Sequence, residues 1–321
     1  SNVYIGNRSG YNSKAGSNNV FLGYYAGYAD TSDNNVFIGY YAGRYNTAGK
    51  NSVFLGYQSG RNNSTGESNV AVGFNSGYNN QSGSNNVMIG NMAGYVGASV
   101  HSNVFLGDSA GYGNTNSFNV FLGKGTGKAN AGSYNSFMGY QAGMKNSSGS
   151  WNVFMGYRAG YSNTTGTHNV FLGYQAGYTN NSSYNTLLGY QAGFKSSTGA
   201  FNTYIGYRTG YGNTSGSYNV LMGYDAGYYN SNTSYNVFIG YRAGFYNSYG
   251  GATAPQGDYN SIIGYNSGYN NRTGYYNTYL GYNAGYSNQS GYSNVAIGYQ
   301  AGYTNLGNFN IFIGNEAGYK N

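Results

Sequence analysis

The sequence predicts an all-β protein, a parallel β-solenoid or β-roll of about 19 stacked coils, each roughly 16–17 residues long. Three observations predict it. A nine-residue phrase, cleanest as Asn169-Val170-Phe171-Leu172-Gly173-Tyr174-Gln175-Ala176-Gly177, recurs 19 times with both glycines present in every copy. With the first glycine as position 0, successive copies are evenly spaced, as in Gly139, Gly156, Gly173, Gly189 and Gly206, and the one long interval runs from Gly240 to Gly264. A fixed period of this kind marks stacked supersecondary units. Helical periodicity is absent, and a glycine every four residues would cost a helix about 1 kcal/mol each.

Each part of the coil has a local reason. Val170, Phe171 and Leu172 show the period-2 pattern of a strand. Position −3 is Val, Ile or Thr in 17 copies, residues that suit a pleated surface. Gly173 ends the strand and turns the chain without a Cβ penalty. Tyr174-Gln175-Ala176 reads as a second short strand, and Gly177 as the second corner. Position +3 is always Ala, Ser or Thr, so it faces a tight interior. Segments such as Tyr161-Ser162-Asn163-Thr164-Thr165-Gly166 are turn chemistry, and Asn at +7 in 15 copies is placed for an Asx-turn.

Coils stacked in register put parallel strands about 4.8 Å apart, so nineteen of them predict a rod of roughly 90 Å. Identical residues then lie above one another. Position −4 is Asn in 18 copies and Ser52 in the other, which predicts a ladder of amides bonding along the stack, with Ser52 a weak rung. Tyr at +1 and at +5, 13 copies each, predicts aromatic ladders. The expectation is one continuous array over 1–321, drawn from a longer chain because neither end carries a polar solenoid cap. The surplus residues after Gly240 form a surface loop over 247–257, with the chain's one proline, Pro255.

The phrase Asn-Val-x-Ile/Leu-Gly-x-x-Ala-Gly resembles the head repeats of trimeric autotransporter adhesins. Asn236-Val237-Phe238-Ile239-Gly240 and Asn294-Val295-Ala296-Ile297-Gly298 carry the likeness. Similar repeats occur in phage tail fibres and bacterial surface proteins. The resemblance implies a left-handed coil, trimerisation and an extracellular place. This coil is longer than the adhesin head's, and −2 is usually Phe where the adhesin phrase has Ala.

Composition narrows the function. The net charge of +7 comes from 14 basic and 7 acidic residues without a basic block, so a nucleic-acid partner is not expected. No apolar run approaches the ~20 residues of a membrane helix, so no membrane insertion is expected in this segment. The absence of cysteine removes disulfides and thiol chemistry. Catalytic, cofactor and metal sites are not expected. His101 and His168 are the only histidines, and His168 occupies −5, where neighbouring coils carry Trp151 and Tyr184. Asp30 and Asp33 share a turn without a partner base. Gly123-Lys124-Gly125-Thr126-Gly127 looks like a phosphate loop but is the repeat's own glycine pair.

The sequence therefore favours an extracellular structural fibre, shaft or adhesin passenger. The alternative is a binding module for carbohydrate, ice or a receptor, including receptor binding by a phage tail fibre, acting through the Tyr ladders or the 249–257 loop. Asn63, Asn80, Asn146, Asn163, Asn180, Asn213, Asn271 and Asn288 precede x-Ser/Thr and are glycosylation candidates if their turns face solvent. The −2 column is the candidate assembly face: Phe21, Phe37, Phe54, Phe105, Phe121, Phe137, Phe154, Phe171, Phe238 and Phe312. If −3 and −1 supply the core, −2 meets water, and such a stripe exceeds what soluble monomers expose. A homo-oligomer, trimer or filament, would cover it; a monomer that wraps part of its own coil over the stripe is the other solution.

Overall fold

The computed structural model describes residues 1–248, 257–304 and 307–320. It contains 19 strands of three residues, one per coil, and no helix among the described residues. The coils form two compact units, Ser1–Arg158 and Ala159–Asn321. The first holds strands β1 (Val3–Ile5) to β10 (Val153–Met155), and the second β11 (Val170–Leu172) to β19 (Ile311–Ile313). Within each unit every strand pairs in parallel with the next, in register. Val170, Phe171 and Leu172 lie beside Thr186, Leu187 and Leu188, and Val36, Phe37 and Ile38 beside Val53, Phe54 and Leu55.

The strand faces opposite to expectation. In every strand the middle residue is the most buried of the three. Phe21, Phe37, Phe54, Phe105, Phe121, Phe137, Phe154, Phe171 and Phe238 are at most 1% exposed, and Phe312 is partly buried. The −2 column is thus the apolar core, not an assembly face, and −3 and −1 point outward. The reason is the space left by the small residues across the coil. A Cβ on Gly177 would sit 2.6 Å from Phe171 Cδ2, so the ring lies directly on that glycine. Buried Ala176 shares the same narrow interior. One large side chain per coil fills the slot. Successive rings stack along the axis, with centroids 5.0 Å apart for Phe21 and Phe37 and 4.7 Å for Phe37 and Phe54. Each buried Phe contributes roughly 1.5–3 kcal/mol by leaving water, and each ring pair about 0.5–1.5 kcal/mol more.

Tyr174-Gln175-Ala176 is a turn rather than a second strand. Gln175 has φ +54°, as does its counterpart at +2 in nearly every coil. A left-handed residue reverses the chain and cannot continue a ladder. Gly173 is required for two reasons. Its φ is +136°, and a Cβ there would lie 2.3 Å from the carbonyl oxygen of Gly189 in the next coil.

Hydrogen bonds run along the stack in turns as well as strands. The Gly177 N–H donates to Ala192 O at 2.9 Å, the Gln191 N–H to Tyr174 O at 2.8 Å and the Tyr184 N–H to Thr167 O at 3.0 Å. The −4 asparagines supply the expected ladder, with side chain meeting backbone. Asn185 Oδ1 accepts the N–H of Asn202 at 2.9 Å, and Asn202 Oδ1 accepts that of Asn219 at 3.0 Å. The Nδ2 of Asn185 donates to Gly199 O at 3.0 Å. A rung of this kind satisfies a buried backbone donor and a buried backbone acceptor together.

The +7 asparagines form a second, parallel ladder. Asn63 Nδ2 donates to Asn46 Oδ1 at 2.7 Å and to Gly66 O at 2.9 Å. The Asx-type contact is also present, with the Gly166 N–H donating to Asn163 Oδ1 at 3.1 Å. Variation in coil length falls between this asparagine and position −7. In the longer coil Thr164 and Thr165 separate Asn163 from Gly166, whereas in the shorter coil only Thr31 separates Asp30 from Ser32. The long insertion uses the same corner. Asn247 Nδ2 donates to Gly257 O at 2.8 Å, so both flanking residues keep their ladder roles. Of the expected 247–257 loop, residues 249–256 lie outside the described residues.

Ser52 is the weak rung. Its Oγ accepts the Asn69 N–H at 3.2 Å and donates to Lys50 O, so it sends nothing to Gly66 O in the next coil. Ser52→Asn restores that bond and should stabilise the protein by about 1 kcal/mol, the net value of a typical hydrogen bond. Thermal or urea unfolding measures it, and a lower stability for the variant would contradict the ladder geometry.

Candidate functional site: the outer strand face

The outward positions form two columns, −1 apolar throughout and −3 mostly Val with Thr or Ser in five coils. Typical members are Val220 and Met222, Val237 and Ile239, and Val170 and Leu172, all partly exposed. Two aromatic columns flank them, at −5 on one side and +1 on the other. In the second unit the −5 column runs His168, Tyr184, Phe201, Tyr218, Tyr235, Tyr259 and Tyr276, each ring stacked on the next at 4.9–5.0 Å. The +1 column runs Tyr174, Tyr190, Tyr207, Tyr224, Tyr241, Tyr265, Tyr282 and Tyr299, stacked at 4.8–5.3 Å. The first unit repeats the design in Tyr24, Tyr40, Tyr57 and Phe74, and in Phe118, Tyr134 and Trp151. His168 is one more stacked ring, 5.0 Å from Tyr184 at 10°.

Stacking sets what this face offers. Rings nearly parallel at van der Waals separation cover one another's π-faces. Edges and hydroxyls are left for solvent, with Tyr184 50% exposed and Trp151 54%. Charge is nearly absent. Across the −5, −3, −1 and +1 positions of all coils, the formally charged residues are Asp108 and Lys124, which pair with each other at 3.1 Å. Ser109 and Lys124 hold the Asp108 carboxyl below its ordinary range. The other charges lie on the remaining walls and in the corners, as with Arg208, whose guanidinium makes two 2.9 Å bonds to buried Asp225.

The glycosylation candidates do not reach solvent. Asn63, Asn80, Asn146, Asn163, Asn180, Asn213, Asn271 and Asn288 are at most 1% exposed. Their Nδ2 groups are spent on ladder and corner bonds, so the folded chain withholds them from modification. The turn pattern Asn-x-Ser/Thr-Gly predicts a solvent-facing corner, but its asparagine turns inward to bind the Gly carbonyl that closes the motif.

The candidate chemical residues are dispersed. His101 Nδ1 accepts the Ser84 N–H at 3.1 Å, and Asp33 accepts the Ser17 N–H at 2.7 Å. Among the described residues there is neither a pocket nor a group of three or more His, Cys, Asp or Glu. No helix is long and apolar enough to cross a membrane among them.

Comparison of the chain with protein-family models, curated proteins and solved structures finds no match. The fold and the repeat define a class, the tandem-repeat β-solenoid with stacked asparagine and tyrosine columns.

Asp30 stands where other coils carry the +7 Asn and is fully buried. Burial pushes its carboxyl above the ordinary value of 3.8, against hydrogen bonds from Ser32, Asn35 and Asn46. Because the folded state then holds the proton more tightly than the unfolded chain, its contribution is most favourable below pH 3.8 and is lost as pH rises through the raised folded value. Asp30→Asn removes this dependence. The stability of the variant relative to the parent should therefore grow as pH is raised from about 4 to 7. Urea unfolding across that range checks it, and a difference that shrinks with pH would show the carboxylate to be favourably placed.

Proposed function

We propose that the chain is an extracellular structural shaft, a stiff repeat fibre or adhesin passenger of the kind its phrase resembles in trimeric autotransporter heads, working as a homo-oligomer. The observation that supports this reading is the uniformity of the columns. Every coil spends its interior on contacts to the coils above and below, and the described coils keep no pocket for a substrate. Structure invested in axial bonding gives length and stiffness, which is what a shaft requires. Catalysis has no comparable support.

The carbohydrate-binding alternative draws less support from the rings. A sugar stacks on an aromatic face, and here the faces within each column are covered by neighbouring rings. The loop reading rests on residues 249–256, outside the described residues.

Two measurements test the proposal. Gold-labelled antibody against the chain should decorate the outside of the producing cell or particle in electron micrographs. The folded protein should survive chymotrypsin despite its 43 Tyr and 16 Phe, because axial bonding leaves few segments free to open. Label confined to the cell interior, or rapid digestion at many aromatic sites, would overturn it.

A further inference from the structure

We propose that the outer strand face, the −3 and −1 columns with their flanking rings, is the surface on which a second copy of this chain docks, face to face. The phenylalanines that the sequence pattern places at a subunit interface are interior, and a different surface takes that role.

Four features favour another copy over any other occupant. The nine strands of the second unit alone present a strip of roughly 40 Å by 20 Å, on the order of 800 Å², from standard strand spacing and rise. That is the area each partner contributes to a stable standard interface. Outward positions in that unit carry no Lys, Arg, Asp or Glu from His168 to Tyr299, so a charged partner such as nucleic acid or an acidic glycan has nothing to pair with. Ring edges, not faces, point outward, so sugar rings have no platform. Finally, the face is corrugated at one strand spacing, with rings every 4.8–5.3 Å in the +1 column. Ridges and grooves at that spacing interdigitate with a surface of the same period, as in paired sheets. A second copy has that period by construction.

The native chain lacks cysteine, which makes the test clean. Thr203 and Thr278 lie in the outward −3 column, and Ser215 is exposed in a corner turn. Full-length Thr203→Cys, Thr278→Cys and Ser215→Cys proteins are treated at equal dilute concentration with a bismaleimide spanning about 10 Å, the distance between packed sheets. At least tenfold more covalent dimer is expected from the two strand-face variants than from Ser215→Cys. In sedimentation the parent should associate with concentration, and Leu188→Lys/Ile205→Lys should stay monomeric with unchanged circular dichroism. Should that pair fail to fold, Thr203→Lys, at a site already polar, replaces it with the same expectation. A parent that is monomeric at the highest concentration reached, or equal cross-linking from all three cysteines, overturns the proposal. A monomer that floats with neutral phosphatidylcholine vesicles overturns it too, by assigning the face to lipid. This inference rests on the homo-oligomer part of the proposed function and fails with it, whereas the extracellular shaft is tested by location and proteolysis and stands or falls separately.

Discussion

Within each unit, the side-chain carbonyl of a −4 asparagine accepts the backbone N–H at −4 of the next coil, as between Asn202 and Asn219 at 3.0 Å. That contact fixes the axial step at one strand spacing, and the other features follow from the step. Rings on successive coils must lie about 5 Å apart, which is stacking distance. Backbones at Gly173 and Gly189 must approach until no Cβ fits between them. Similar side chains are favoured in each column because each is the packing partner of the one above it. A solenoid with little charge and no disulfide is held by such repeated nearest-neighbour terms.

The interior divides into an aromatic half and an amide half, and exceptions show how closely both are filled. Tyr204 and Tyr279 replace Phe at −2 and pair their hydroxyls with the +7 amides of Asn213 and Asn288. Burial pushes both phenols well above the ordinary range. Where −2 is only Ala71, Met88 of the next coil leans back, and its methyl would lie 2.8 Å from a Cβ on Gly77. Where +7 is Gly97, Val100 is buried at −7, where most coils have Gly. Asn80 Oδ1 in the coil before has no donor, as is also the case for Asn63 and Asn271 Oδ1.

Period, glycine placement and the asparagine column make the coil and its parallel register readable in the sequence. The direction of the strand faces is harder to read, and the expectation was reversed, because −3, −2 and −1 are all apolar. The discriminating signal lies in the exceptions. Ser136, Ser261, Thr186, Thr203 and Thr278 occupy −3, while −2 never carries a small hydroxyl side chain, so −2 has to be the dry side. The buried sequons escape notice for a related reason. Composition alone does not tell an Asx-turn asparagine that faces water from one whose amide also bonds to the next coil. Position +2 looks like strand because Tyr, Gln and Ala carry no mark of a left-handed conformation. The pairing that holds that position in place, such as Gln191 N–H to Tyr174 O at 2.8 Å, is visible only once the coils are stacked.

With the aromatic core inside and mostly aliphatic columns outside, the surface of the protein is as ordered as its interior, and both follow from the axial asparagine bond. Residue-resolved amide hydrogen exchange tests that bond most directly. The backbone N–H groups of Asn185, Asn202, Asn219 and Asn236 are bonded to side chains, not to strand carbonyls. They should exchange as slowly as the strand amides of Val170, Thr186, Thr203 and Val220, which donate to Asn185, Asn202, Asn219 and Asn236 O respectively, because opening either member of a pair requires separating the same two coils. Fast exchange at the four asparagines beside protected strands would show that the ladder does not hold the coils together.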